Sequence, residues 1–475
     1  MGGVSTQLQL YPAQAEGVAR FLASKGRYVF TYGTGCGKTP TAIRSLVEFL
    51  RRDRRRRHVA DARVLIVCPA IVRRHWVREF DRWENLEAHP VEMGRTRKSG
   101  TKKALAARDD AYAANIQVVS YDLLPQVDAQ GWDFIVFDEI HHLGDPQSKQ
   151  SVYARGVLAA NPGVPAIGLS ATLIPTQIKQ LWHPMHLLFG NTWGMPSRTG
   201  GISWDFLGRF CELKKNGYGT EVGPAIKARI PELKNKLLKV CHRVTREDIA
   251  DDLPPIDVKV LDVPGAGLGA QLRVVKGPRP EVAQAVEWYK SLPEDITHAV
   301  ILVYHRALAQ EIRSALGHGD IIDGSMPTGM RVQYLDRIDM AERGLLIATS
   351  ESIREGVRLM WAQKVLFAEW RQSPAQVVQV LGRFQSVGDA RRPQVDVLTD
   401  ESLYGQARKL MERVQDINTL IKAGSAEAVV ERVFEPRDLT EERMEQLTLS
   451  MLASGPRCLD SSWVEEAEET EENEW

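Results

Sequence analysis

A chain of 475 residues with 61 basic and 61 acidic side chains, 43% hydrophobic and 26% charged, is too apolar for a disordered or fibrous protein and long enough for two to four globular domains. Its five cysteines, Cys36, Cys68, Cys211, Cys241 and Cys458, form no CxxC pair, which leaves no readable zinc framework or disulfide ladder and makes a reducing compartment the default. No uninterrupted apolar run reaches membrane-spanning length, and Met1–Gln14 lacks the basic-then-apolar order of a secretory signal.

Taken in chain order, Tyr28–Tyr32, Val64–Cys68 and Phe134–Phe137 read as buried strands, each ending in a polar or glycine-containing loop. Helical periodicity fills the gaps at Thr41–Arg57 and Ile71–Trp83. A fourth strand, Ala166–Leu169, precedes Ser170-Ala171-Thr172. This alternation predicts an α/β fold, with a mostly parallel sheet, helices on both faces and a site beyond the strand C-termini. From about Trp193 to Pro255 the periodicity weakens, and Pro254-Pro255 and Pro264–Gly269 mark a boundary region. The scheme then repeats: strand Ala299–Tyr304, a helix through Leu316, strands Gly344–Thr349 and Lys364–Ala368, helix Ser373–Leu381 and strand Gln394–Leu398. The expected limits are therefore 1–192 for a first, ATP-binding lobe, 193–257 for a helical insertion or extension of that lobe, 258–430 for a second lobe, and 431–475 for a C-terminal helix and disordered acidic tail.

The last eleven residues, Glu465 to Trp475, hold seven glutamates and no basic residue, so the chain ahead of them carries a formal charge of +7. A basic body suits a phosphate-backbone partner, although such a balance is shared with many proteins that bind none. The tail has two readings, a disordered solubilising segment or a transient cover for a basic groove.

The sharpest local pattern is Gly33-Thr34-Gly35-Cys36-Gly37-Lys38-Thr39, between a strand-like and a helix-like run. Glycines let backbone amides turn toward phosphate oxygens, and a helix N-terminus adds favourable polarity. Lys38 can reach the β/γ-phosphates, and the Thr39 hydroxyl can ligate magnesium. The strict GxxxxGK[ST] form fails at one place, where residue 32 is Tyr rather than Gly. Asp138-Glu139, after the apolar Phe134–Phe137, supplies the matching half. Asp138 is the candidate to organise Mg2+ and Glu139 to orient and deprotonate a water. His141 and His142, being adjacent, make a poor metal pair; His141 is read as coupling the pocket to a neighbouring loop, or as locally structural.

Together these motifs resemble superfamily 2 nucleic-acid-dependent ATPases, specifically the SNF2-like branch with a DEAH-type second motif (Asp138-Glu139-Ile140-His141), over roughly residues 8–400. The resemblance implies two RecA-like lobes with parallel sheets, the superfamily 2 form of the P-loop NTPase architecture, with ATP and Mg2+ as cofactors. It gives Gln14, in Leu10-Tyr11-Pro12-Ala13-Gln14, an adenine contact. Val67-Cys68-Pro69-Ala70 and Trp76-Val77-Arg78-Glu79-Phe80 resemble motif Ia, and Ser120-Tyr121-Asp122 the next DNA-facing segment. Ser170-Ala171-Thr172 resembles the motif coupling hydrolysis to lobe movement; Leu181-Trp182 and Leu253-Pro254-Pro255 match segments that follow it. In the second lobe Asp323-Gly324-Ser325, the region from Thr349 to Leu359, and Gln379-Val380-Leu381-Gly382-Arg383 resemble further motifs. They imply that Gln379 and Arg383 approach the phosphates on closure. Val303-Tyr304-His305 and Phe367-Ala368-Glu369 look closest to the annealing-helicase subgroup. Two departures stand out: Ser386 occupies the place of a second arginine, and Asp389 follows Gly388 where the branch has Gln. Arg354, Arg391 and Arg392 are candidates to substitute for the missing arginine.

The implied function is ATP hydrolysis coupled to translocation on, or remodelling of, double-stranded DNA. A strand-separating DNA or RNA helicase is one alternative, and an ATP-binding scaffold or inhibitor of DNA transactions with weak turnover is another. Candidate DNA contacts are Arg73, Arg74, Trp76, Arg78, Ser120, Tyr121 and Thr349, although the apolar neighbours of Trp76 favour a structural place on a helix face. The basic run Arg51-Arg52-Asp53-Arg54-Arg55-Arg56-Arg57-His58 reads either as a phosphate contact or as a solvated helix end. No recognition module beyond the motor is legible, which leaves a stand-alone motor or one recruited by a protein partner. The expected setting is intracellular: cytoplasm or nucleoid, or the nucleus in a eukaryote, with no membrane partner.

Overall fold

The structure, a computed structural model, describes residues 8–33, 35–52, 58–96, 100–171, 173–174, 178–216, 219–244, 248–249, 257–262, 279–353, 359–369, 380, 383–384 and 394–399. Outside them lie Thr34, Arg54–Arg57, Thr172, Leu253-Pro254-Pro255, Arg354, Gly356, Gln379, Ser386, Asp389, Arg391, Arg392 and the acidic tail. The expected helix Ser373–Leu381 lies outside them too, apart from Val380.

The described chain builds two parallel sheets. The first contains β1 (Arg27–Tyr32), β2 (Val64–Cys68), β3 (His89–Pro90), β4 (Ile116–Ser120), β5 (Phe134–Phe137) and β6 (Ala166–Leu169). An antiparallel hairpin follows, β7 (Cys211–Asn216) with β8 (Gly219–Ala225), and then β9 (Cys241–Val244) returns to the first sheet. The second sheet contains β10 (Asp257–Asp262), β11 (His298–Val303), β12 (Asp320–Ile322), β13 (Gly344–Thr349), β14 (Lys364–Phe367) and β15 (Gln394–Thr399). The first is ordered β3-β4-β2-β5-β6-β1-β9 and the second β10-β15-β14-β11-β13-β12.

Parallel sheets need apolar cover on both faces, because their crossover helices pack on each side. The sequence meets this with unbroken apolar runs whose alternate residues enter different cores. Val29, Leu65, Val67, Ile135 and Phe137 face one core. Tyr28, Phe30, Val64, Ile66, Phe134 and Val136 face the other. The second sheet buries Ile301, Val303, Leu345, Ile347 and Leu366 against Leu308 and Ile312 of the helix Arg306–Leu316.

Three helices position the first sheet's loops: α1 (Pro12–Ala23), α2 (Lys38–Arg51) and α3 (Arg73–Glu84). The α2 helix begins at Lys38 rather than Thr41, because Gly37, at φ 76°, supplies the left-handed turn that starts it. It ends at Arg51, so within the basic run only Arg51 is helical among the described residues. The α3 helix is preceded by a short 3-10 turn, Ala70–Val72. The segment between the sheets carries helices Trp204–Phe210 and Ile230–Leu238 beside the hairpin. Its last strand, β9, pairs with β1 and closes that edge of the first sheet. Among the described residues no helix is long and apolar enough to cross a membrane.

Tyr32, the departure from the strict phosphate-loop pattern, is fully buried at the end of β1. Its hydroxyl lies 2.9 Å from Nδ1 of His242 on β9. Gly17 of α1 packs directly on this pair: a Cβ there would lie 2.0 Å from the Tyr32 hydroxyl oxygen and 2.7 Å from His242 Nδ1. Replacing a helical glycine by alanine normally gains about 1 kcal/mol. Here overpacking against two buried polar groups opposes that gain with about 1–3 kcal/mol and wins. Gly17→Ala is therefore expected to lower stability by about 1 kcal/mol in urea unfolding; a stabilised variant would show that α1 can move away from β1.

Candidate nucleotide site

The strand order β5-β6-β1 puts three loops side by side at the C-terminal edge of the first sheet. The loop after β1 carries Gly33 to Thr39, the loop after β5 begins Asp138-Glu139, and the loop after β6 begins at Ser170. Gly35 and Gly37 both adopt left-handed backbone, at φ 80° and 76°. The loop is braced by Gly33 N donating to Val244 O (2.9 Å) and Cys36 N donating to Gly33 O (3.1 Å). The Lys38 ammonium is folded back onto the Tyr32 carbonyl at 3.1 Å. Cys36 is buried, while Thr39 is half-buried at the second position of α2.

Gln14 is buried against this loop. Its Nε2 donates to Cys36 O (3.0 Å), and its Oε1 accepts from Tyr11 N (3.0 Å). A Cβ on Gly37 would fall 2.2 Å from Gln14 Nε2, so glycine is required there for space as well as for φ. The side chain expected to read adenine is thus the one that holds the phosphate loop to α1.

Asp138 and Glu139 are adjacent anions at the buried end of β5. Asp138 Oδ2 accepts the Trp76 indole N–H at 2.8 Å, and its Oδ1 accepts the Glu139 backbone N–H at 3.0 Å. Its backbone carbonyl accepts the Tyr121 hydroxyl at 2.7 Å. Glu139 has φ 51°, ψ 52°, a conformation that costs a non-glycine residue about 1 kcal/mol. Its Oε2 is buried without a hydrogen-bond partner, 3.2 Å from His141 Nδ1. His141 Nδ1 is 2.9 Å from Ser170 Oγ, joining the loops after β5 and β6.

Burial, and then the Glu139 charge, push the Asp138 carboxyl above its ordinary range against the pull of Trp76 and Lys38. Burial acts in the same direction on Glu139. There Lys38, His141 and Arg383 together outweigh it and leave the carboxyl below its ordinary range. Arg383, from the chain beyond the second sheet's β14, is therefore close enough to act on Glu139.

The expected nucleic-acid contacts divide sharply. Trp76 is a correction: it is fully buried, and its one polar atom is bonded to Asp138, so it has no surface to offer. Ser120, Tyr121 and Thr349 are also interior, at 4%, 4% and 7% exposure. Arg73 is mostly enclosed and spends its guanidinium on the Ala70 and Val91 carbonyls. Arg74 is exposed but forked onto the Glu92 carboxylate, with N–O distances of 2.7 and 3.2 Å. Arg78 lies exposed on α3. The functional links missed from sequence are those of Trp76 and Tyr121 to Asp138. For Trp76 the signal was the apolar spacing of α3; for Tyr121, just after β4, there was none.

In the second lobe Asp323 accepts from Ser325 N and Oγ and pairs with Arg306 at 2.7 Å, while Arg331 ties Gly324 O and Met326 O together. The two short segments set apart by their resemblance to the annealing helicases meet here. Glu369 is buried and accepts from the backbone N–H groups of Tyr304 and His305 and pairs with His305 Nδ1 at 2.7 Å. This carboxylate caps the helix Arg306–Leu316 at its positive end.

A parallel-stranded α/β protein with a phosphate-type loop and an acidic pair at the same sheet edge, one strand apart, is a two-lobed RecA-like fold. The solved yeast Dbp5 bound to RNA and ADP–BeF3 shares it, with a TM-score of 0.53 at 13% identity, covering 90% of this chain and 94% of that one. The SNF2-related domain family matches residues 28–265, and the chain belongs to that family. Among curated relatives, the SWI/SNF-related matrix-associated actin-dependent regulator of chromatin subfamily A-like protein 1 of Xenopus tropicalis is 23% identical over 98% of this chain and 50% of its own length. The mouse DNA annealing helicase and endonuclease ZRANB3 is 22% identical over 80% of this chain and 37% of its own. The chain thus spans about half the length, or less, of these relatives.

The helix Lys179–Phe189 that follows the β6 loop is pinned by His183, which is fully buried and donates from Nδ1 to Leu143 O. Burial pushes its pKa down from 6.5 to about 4. The unfolded chain therefore takes up this proton as pH falls below 6.5, while the folded chain resists until about pH 4. Stability from this group is complete above 6.5 and drains away between the two values, by about 2 kcal/mol at pH 5. Urea midpoints at pH 7 and pH 5 should separate by more in the wild type than in His183→Asn. Equal pH slopes would place the titration elsewhere.

Proposed function

We propose that the chain is a nucleic-acid-dependent ATP hydrolase that couples turnover to movement along, or remodelling of, double-stranded DNA. The carrying observation is that Lys38 of the glycine loop and Arg383, together with His141, act on the Glu139 carboxylate next to Asp138. Membership of the SNF2-related family supports the same reading, as do relatives whose names include DNA annealing helicase. The domain limits proposed with it are 1–192 and 258–430 for the lobes. The stretch 193–257 is then an extension of the first lobe, since β9 lies in that lobe's sheet.

The residues present suit a triphosphate with magnesium. Two left-handed glycines shape the loop, and Gly37 leaves no room for a Cβ. The buried Glu139 Oε2 lies 3.2 Å from His141 Nδ1 and, as a carboxylate oxygen, keeps acceptor capacity for a water. Thr39 and Asp138 are the residues to hold Mg2+, which when bound neutralises phosphate charge as a Lewis acid. Lys38 leaves the Tyr32 carbonyl for phosphate oxygens, and Gln14 keeps the loop against α1, within reach of a base. Glu139, kept ionised by its lowered pKa, orients a water and accepts its proton, with His141 beside it. Arg383 stabilises charge at the terminal phosphate; Gln379, outside the described residues, is assigned the same approach by the family resemblance alone. Positioning and electrostatics supply most of phosphoryl-transfer catalysis, so these fixed groups are sufficient in kind.

ATPase rates with duplex DNA, single-stranded DNA and RNA in parallel test the reading. Duplex DNA should stimulate most, and Lys38→Ala should reduce turnover by about 10²–10³-fold. Glu139→Gln should keep nucleotide binding while losing turnover. Stimulation by RNA alone would defeat the duplex-DNA assignment, and binding without turnover in the wild type would favour an ATP-binding scaffold.

The different surroundings of two α3 arginines give a second test. Arg78→Ala should lower the salt slope of duplex binding by about 1 with little change in melting temperature. Arg73→Ala should instead destabilise the fold, because it strips two buried carbonyls of their donor. Equal effects of the two variants on the salt slope would contradict the separation.

A further inference from the structure

The mechanism above leaves one buried polar contact unused, the bond from the Trp76 indole to Asp138. We propose that Trp76 is a positioning residue through which α3 sets the orientation of Asp138. Occupancy of the outer face of α3 by duplex DNA is thereby read at the nucleotide site. The proposal rests on the reading just given.

Four observations carry it. First, Trp76 is fully buried, and its only polar atom reaches 2.8 Å to Asp138 Oδ2 from a different element of the fold. Ring packing against Phe80 would be satisfied by any aromatic, whereas the N–H needs an acceptor. Second, among the described residues Asp138 has one donor on each oxygen, Trp76 on Oδ2 and the Glu139 backbone on Oδ1. Removing the indole donor frees rotation about the carboxylate, because only the other oxygen stays fixed. Third, α3 is amphipathic across this residue: Trp76, Glu79 and Phe80 are buried while Arg74 and Arg78 face outward. A rigid helix that shifts under load on its outer face must shift Trp76 with it. Fourth, the turn Ala70–Val72 leading into α3 touches the helix Thr328–Met340 of the second lobe. The turn that leads into the helix holding Asp138 is thus in contact with the other lobe.

Outer donors to a metal-holding carboxylate typically change metal affinity by about 10–100-fold when removed. Trp76→Phe deletes the N–H and keeps an aromatic ring in the cavity. The experiment measures binding of a fluorescent ATP analogue to the full chain across a magnesium titration, with and without duplex DNA. Duplex affinity without nucleotide and melting temperature are read alongside. The expected result is that Trp76→Phe needs about tenfold more magnesium for half-maximal tightening. It should also lose the DNA-induced shift in that midpoint, with duplex affinity within about twofold of wild type. In an Asp138→Ala background the same substitution should add nothing. A folded Trp76→Phe with an unchanged magnesium midpoint and an unchanged DNA shift would overturn the proposal.

Hydrogen exchange on the wild-type chain covers the case in which the variant does not fold. Adding magnesium to the nucleotide-bound protein without DNA should alter protection across residues 73–84; identical exchange there would also overturn it. If the wild type binds no ATP analogue at all, the proposed function fails instead, so the two failures are distinguishable.

Discussion

Two carboxylates on consecutive residues, at the end of a strand that has no contact with water, repel each other and have lost their hydration. Asp138 and Glu139 are in this position, and the architecture around them can be read as its compensation. The charges of Lys38 and Arg383 act on Glu139, His141 lies 3.2 Å from it, and Trp76 donates directly to Asp138. Removing any one partner leaves a buried charge short of a counterpart, which costs more than the net value of the pair itself. An imbalance that a folded core would ordinarily avoid is useful where a cation and a reacting water are to be held.

The sheet explains why these partners can converge although they are far apart in sequence. A parallel sheet sends every strand's C-terminal loop to one edge, and the order β5-β6-β1 makes the acidic pair, Ser170 and the glycine loop neighbours. His141 then needs to reach only 2.9 Å to bond Ser170. Any change at the β6 loop is felt beside Glu139, and any movement of α2 is felt through Lys38. On the other side of the loop, α1 approaches closely because Gly17 has no side chain, which lets Gln14 bond Cys36 O.

The sequence made some of this legible and hid the rest for identifiable reasons. Val64–Cys68 and Phe134–Phe137 were readable because a strand covered on both faces is apolar at every position, a pattern few loops mimic. The glycine loop and the acidic pair were readable because each needs particular residue types at fixed spacing. Strand β9 was not, since Cys241-His242-Arg243-Val244 is short, half polar and on an edge, where alternation is the only signal and four residues cannot establish it. The role of Tyr32 was hidden for a related reason. It broke the glycine pattern, yet its meaning lies in a hydroxyl contact to His242, 210 residues away. Tyr121 was assigned to a nucleic-acid contact, and the spacing around Trp76 showed a buried helix face without saying what polar atom waits beneath it.

The second lobe offers an internal comparison for the Trp76–Asp138 bond. There Trp288 donates from its indole nitrogen to Asp396 Oδ2 at 2.6 Å, and Lys364 approaches the same oxygen at 3.4 Å. Both aspartates are nearly inaccessible, and both belong to a parallel sheet, Asp396 within a strand and Asp138 just past one. The resemblance ends with their positions. Asp396 lies inside β15, flanked by the buried Val395 and Val397, with a lysine from the neighbouring strand as its counter-charge. Its polar needs are met within the sheet, and it behaves as a structural tie. Asp138 comes one residue after β5 ends, followed by a left-handed Glu139 that turns its own carboxylate toward the glycine loop. An indole–carboxylate bond is therefore not in itself a sign of function in this fold. Its meaning comes from whether the acid sits within a strand or at the edge where the loops meet, and only Asp138 satisfies the second condition.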